Sequence, residues 1–132
     1  MSVEDEIRDA FPELQSIEDP DLREGVVDAW AIALRENGTP DLDSLVWFGP
    51  YQEKLGLSEE FLVDHINQVT AAATALAESF VETRGADIDL DVVRAGTLVH
   101  DMSHVAEFDG AEWTDVGELL GHPHYGVYAA RR

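Results

Sequence analysis

The chain has 132 residues, 45% of them hydrophobic, and no cysteine. That length suffices for one domain with a real core, and the missing thiols exclude disulfides, thiolate metal sites and a cysteine nucleophile. Twenty-eight acidic residues stand against 8 basic ones, a net charge of −20, so no basic stripe exists to neutralise phosphates and a nucleic-acid duplex is excluded as a partner.

Residues 2–10, SVEDEIRDA, predict a short amphipathic helix ended by the Phe11-Pro12 step. This acidic start has no basic leader and no long apolar run, so a signal peptide is not expected. No segment approaches membrane-spanning length, and the expected location is the cytoplasm. Asp19-Pro20-Asp21 opens a second helix, with proline in its first turn, running to about Asn37 and stopped by Gly38. Leu22, Val26, Ala29, Trp30, Ala33 and Leu34 recur at three-to-four spacing and form its expected buried face. Residues 38–57 lack periodicity and read as a loop with one short helical turn, packed onto the body by Trp47, Phe48 and Tyr51.

Ser58 is the expected cap of a long helix, with Glu59 and Glu60 complementing the positive end of its dipole. This helix continues to Thr83 or Arg84 and stops at Gly85. His65, Val69, Ala72, Leu76 and Phe80 make its predicted inward stripe. Asp89 or Asp91 caps the next helix, which runs through Val92 to roughly Met102. A polar connection EFDGAEW follows, then a short helix TDVGELL, a GHPHYG step and a last helical segment ending at Arg132. The expected fold is an all-α bundle in one domain, with N-terminal helices and loop over 1–57 and a core over 58–132. No β signal is strong enough to predict a sheet.

The acidic excess is spread along the whole chain, and Lys54 is its only lysine. Such a molecule repels itself in dilute buffer, whereas molar salt shrinks the Debye length to about 3 Å and relieves the repulsion. Acidic, lysine-poor composition resembles that of proteins from salt-accumulating microbes, which implies a halophilic, haloarchaeal-like source with a high-salt cytoplasm.

All five histidines fall between His65 and His124. His100 and Asp101 sit side by side in the apolar run TLVHDMSHV, and a buried carboxylate without a partner is expensive. Adjacent helical positions differ by about 100° in direction, so the pair can approach one point from two sides. A short connection brings the preceding helix back antiparallel, with His65 on its inward face. Two imidazoles and a carboxylate suit a borderline divalent metal: Mn, Fe, Co, Ni or Zn. With positions left open, such an ion activates water and polarises a phosphoryl oxygen. The alternative is a hydrogen-bonded core histidine beside a solvated aspartate. Arg94, earlier on the same helix, reads as a structural ion pair rather than a phosphate ligand. No Walker loop, dinucleotide fingerprint or nucleophile elbow is present.

The order H…HD, with a long helix carrying His65 and the run VVRAGTLVHD carrying His100 and Asp101, resembles the HD-domain metal-dependent phosphohydrolases over roughly residues 61–132. The resemblance implies an HD-like all-α bundle, His65, His100 and Asp101 as metal ligands, and Asp101 as the catalytic residue placed to bridge two ions. The stretch LLGHPHYGVYAA resembles the H-P-x-x-G helix start of these proteins, where the histidine matching His122 can hold a second metal. The family usually continues as HD-x-G-K, whereas Ser103 and His104 stand here; His104 and His124 are expected as supporting or substrate-facing groups. The family's final aspartate ligand lies on a later helix, and the chain stops at Arg131-Arg132. It is therefore either a piece of a longer polypeptide or a member without that ligand. The implied activity is hydrolysis of a nucleotide or another small phosphoester. The rival expectations are a non-catalytic helical binding or assembly module with an incomplete metal site, and a structural ion stapling two helices.

Overall fold

The computed structural model describes residues 2–45 and 61–102, and the backbone of two short strands at 108–109 and 112–113. Among the described residues are four α-helices: α1 (Val3–Ala10), α2 (Pro20–Glu36), α3 (Leu62–Arg84) and α4 (Leu90–Val99). The described part of the chain is thus mostly helical, as its periodicity predicts. The departure is an antiparallel ladder pairing Phe108 (β1, Phe108–Asp109) with Trp113 (β2, Glu112–Trp113), inside the segment expected to be a polar connection. Its signal is the aromatic residues flanking an Asp-Gly step, a hairpin pattern too short to weigh against the helical remainder. No helix among the described residues is long and apolar enough to cross a membrane.

Local capping explains most helix ends. Ser2 Oγ accepts the Asp5 N–H at 3.1 Å, and Asp19 accepts those of Asp21 and Leu22 at 3.0 and 3.4 Å. Asp89 does the same for Asp91 and Val92. Each satisfies donors that the first turn of a helix leaves orphaned. α2 ends at Asn37, where Gly38 takes a φ of +84°. α3 ends on Gly85 at φ +63°, whose N–H and that of Ala86 return to Val81 and Phe80 carbonyls. Only a residue without Cβ adopts that turn without strain. α3 starts at Leu62 rather than near Ser58, with Phe61 at its cap and no side-chain cap bond. Ser58, Trp47, Phe48 and Tyr51 lie outside the described residues.

Two 3-10 turns link these helices, Pro12–Ser16 and Leu42–Ser44, the second lying where one short helical turn is expected. The Leu42 N–H donates to Glu6 of α1, and the Leu62 N–H donates to the Leu45 carbonyl, so this connection ties α1 to the start of α3.

The core is built around Trp30, fully buried, with its ring centroid 5.2 Å from that of Phe11. Ile7, Leu14, Ile17, Val27, Leu34 and Ile66 close around them. On α2 the expected face is present, broadened by Val27 and Ala31, while Leu22 and Ala29 are only partly buried. On α3 the predicted stripe holds only at its start, where His65 and Val69 are half-buried, and departs from the buried face beyond it. The buried residues of α3 are Leu62, Val63, Ile66, Thr70, Thr74 and Ala77, whereas Leu76 is 61% and Phe80 40% exposed and Ala72 faces solvent. An alanine- and threonine-rich helix offers two faces of similar apolarity, and neighbours choose between them.

α3 and α4 make the most extensive helix pairing. It is antiparallel, since His65 near the start of α3 meets Asp101 just beyond α4, while Glu78 farther along α3 meets Arg94 within α4. Arg94 Nη2 lies 3.4 Å from Glu78, its Nε 3.5 Å from Glu13, and its Nη1 donates to the Ser16 carbonyl. It clamps the 3-10 turn to both helices, the structural role expected for it.

Candidate metal centre

The site forms where α4 ends. The last carbonyls of a helix lack intrahelical partners, and here one finds a partner from another element. The Trp30 indole N–H, arriving from α2, donates to the Leu98 carbonyl at 2.8 Å inside the core. The chain then tightens, with the Met102 N–H returning to the Val99 carbonyl and Met102 fully buried. Leu98 and Met102 anchor the turn from either side, and His100 and Asp101 are carried between them.

Asp101 points inward, with only 10% of its side chain exposed. Its Oδ2 lies 3.0 Å from His65 Nε2 and 2.9 Å from His100 Nε2. One carboxylate oxygen thus gathers two imidazoles, whose ring centroids are 5.8 Å apart and inclined by 52°. The other ring nitrogen of His100 is 2.5 Å from the Thr97 carbonyl oxygen, to which it donates. Hydrogen bonding to Asp101 holds the His100 imidazole above its ordinary pKa; partial burial works against this, and the Thr97 carbonyl and the Asp101 charge reinforce it. Exposure decreases inward, from 36% for the His100 side chain to 16% for His65.

One ligand atom from each of His65, His100 and Asp101 can be chosen so that all lie within 4.8 Å of one another, and this group can hold a metal ion. The donor set fits such an ion in two further respects. Two nitrogens and an oxygen match borderline divalent ions. The bond from His100 Nδ1 to Thr97 presents Nε2 to the shared point, as the outer hydrogen bond of a ligating histidine does. A metal would take the place of the protons that bridge the imidazoles to Asp101.

Of the residues singled out in the sequence, the structure brings these three together. His104, His122 and His124 lie outside the described residues. Sequence reasoning missed Thr97, which orients His100, and Trp30, which fixes the turn. The Thr97 contact is made by a backbone carbonyl that any residue there would offer, and the Trp30 contact spans 68 positions, so neither has a signal in residue type. No family model matches the chain, and no curated protein or solved structure is significantly similar to it. The chemistry of the centre therefore stands on the geometry of His65, His100 and Asp101 themselves.

Proposed function

We propose that the chain is a metal-dependent phosphohydrolase of the HD type, acting on a nucleotide or another small phosphoester. The observation that carries this reading is the convergence of His65, His100 and Asp101 at one point whose His100 side borders solvent. A divalent ion there, drawn from Mn, Fe, Co, Ni or Zn, would supply a water of lowered pKa and positive charge for the phosphoryl oxygens. His65 and His100 hold their Nε2 atoms toward that point, and Thr97 fixes the tautomer and ring plane of His100. Asp101 contributes the negative charge, and its burial beneath the two rings keeps its position defined. The exposed edge of His100 marks the side from which a phosphoester would approach. Because the net charge of −20 opposes an anionic substrate, high salt favours the encounter.

A structural ion that only staples two helices is the second reading. It is favoured by the position of the three donors across the α3–α4 contact, where a bound ion would cross-link both helices.

The test is the metal content of protein purified in high salt without chelator or a histidine tag, followed by hydrolysis of a generic phosphomonoester and phosphodiester, beside His100→Ala. Stoichiometric metal and hydrolysis, both lost in the variant, are expected of the enzyme. Metal without hydrolysis would favour the staple, and absence of metal from the wild type would sink both and leave a non-catalytic helical module with an incomplete metal site.

A further inference from the structure

Between α2 and α4 runs a groove of about 360 Å³, at the lower end of the ~300–1,000 Å³ of pockets that hold small molecules. The two helices lie side by side, tied near their starts by Asp91 and farther along by the Trp30–Leu98 bond. Half-buried Leu22 and Ala29 on α2 and Val99 on α4 offer the groove apolar surface, and Val92 on its rim is 57% exposed. Gly25 and Gly96 line it from opposite helices, and a Cβ on either would meet nothing within 4 Å among the described residues. Glycine inside a helix is less stable than alanine, so the packing of the chain itself does not call for these two. What they leave is room. The outer face of α4 joins this groove to the metal centre. Val92, Gly96 and His100 follow one another at one-turn spacing, all three are exposed, and His100 keeps helical dihedrals. Gly96 is thus a gap in the ridge between the groove and the open side of His100.

We propose, resting on the hydrolase reading above, that the substrate is the phosphoester of an aliphatic alcohol. Its phosphate sits at the metal centre, and its hydrocarbon chain passes over Gly96 into the α2–α4 groove. The lining selects this class. Among the described residues it has no aromatic ring for a base to stack on, and its one polar side chain, Asp21, offers only an acceptor when ionised. A nucleoside would bury sugar hydroxyls and base nitrogens there without partners, whereas a methylene chain needs none. The net charge of −20 also opposes a polyphosphate more strongly than a singly phosphorylated alcohol. Length agrees with this, because His100 and Val92 are two turns apart, about 12 Å along the axis, within the reach of an octyl chain. In the reaction the water oxygen bonds to phosphorus and the bond from phosphorus to the alkyl oxygen breaks. A water proton passes to the departing alkoxide, giving the alcohol and inorganic phosphate.

The experiment takes the full chain loaded with Zn and compares octyl phosphate with methyl phosphate, by amide NMR shifts and by release of phosphate. Octyl phosphate is expected to move the Gly25 and Gly96 amides along saturable curves that methyl phosphate does not produce. Its kcat/KM should be higher by about tenfold or more, since each buried methylene is worth about fourfold in affinity. Gly96→Leu puts a side chain into open space and favours the helix, and it should remove that preference for octyl over methyl phosphate. Hydrolysis without the Gly25 and Gly96 shifts, equal rates for the two esters, or a preference that survives Gly96→Leu would overturn the groove and leave the hydrolase standing. Saturable shifts at both glycines with no hydrolysis of either ester would overturn the hydrolase and keep the groove as a site for an aliphatic chain. Neither shifts nor hydrolysis would sink both.

Discussion

Trp30 and Leu98, 68 positions apart, are joined by a buried hydrogen bond of 2.8 Å from indole N–H to carbonyl oxygen. This bond satisfies a carbonyl in the final turn of α4 and sets where His100 and Asp101 follow. Trp30→Phe keeps an aromatic ring in the core but leaves the Leu98 oxygen without that partner. The expected loss is about 1–3 kcal/mol, read as a lower urea midpoint at unchanged slope. An unaltered midpoint would show that the indole bond contributes nothing to the turn.

The orientation of α3 is open to a direct comparison. Ile66 is fully buried and Leu76 is 61% exposed, the reverse of the stripe that sequence spacing favours for Leu76. Ile66→Ala should cost about 2–5 kcal/mol. Leu76→Ala should stay within about 0.5 kcal/mol of the wild type. Chemical denaturation of both variants measures the difference, and comparable losses would contradict the observed face.

Asp91 links α4 to the chain preceding α2, accepting the Glu18 N–H at 2.9 Å and the Asp19 N–H at 3.0 Å. These bonds hold its carboxyl below the ordinary value of 3.8, with Arg94 and Arg23 assisting. A carboxylate with a depressed folded pKa contributes stability that is fully present above its unfolded value and is lost as pH falls through the folded one. The stability gap between wild type and Asp91→Asn should therefore be constant near neutral pH. It should narrow below the ordinary carboxylate range and close in stronger acid. Denaturation of both proteins across an acid series tests this, and a gap that widens with acid would refute it.

The metal centre makes a prediction about stability that does not depend on turnover. An ion bound only by the folded chain raises stability by RT ln(1 + [L]/Kd), about 2.7 kcal/mol at a hundredfold excess over Kd. Adding Mn, Co, Ni or Zn to chelator-stripped protein should raise Tm, and chelator should reverse the rise. Asp101→Asn keeps the size of the side chain but removes its charge, so its Tm should respond far less to metal. An equal response in both proteins would place the binding elsewhere in this acidic chain.

The parts of the fold legible in sequence are those governed by neighbours a few residues apart. Ser2, Asp19-Pro20, Gly38, Gly85 and Asp89 stop or start helices because a cap or a positive φ is satisfied within one turn. The meeting of His65 with His100 and Asp101 was legible for a related reason. A long helix, a short connection and a second helix leave an antiparallel return as the economical path, and the order of the residues then pairs the start of α3 with the end of α4. Which face of α3 is buried was not legible, because alanine and threonine distinguish two faces only weakly until Leu62, Val63 and Ile66 are packed against other elements. The same holds for the second acid of the DLD motif. Asp89 caps its own helix, a local choice, but the reach of Asp91 to Glu18 and Asp19 exists only once α4 lies beside the start of α2. The sequence by itself therefore determined the four described helices, the ends that carry a local cap or glycine, and the three polar residues that could meet. Only the tertiary structure decided the rotation of α3, the Arg94 clamp and the Trp30–Leu98 bond. Those depend on burial and hydrogen bonding between segments far apart in the chain, where no local spacing rule operates.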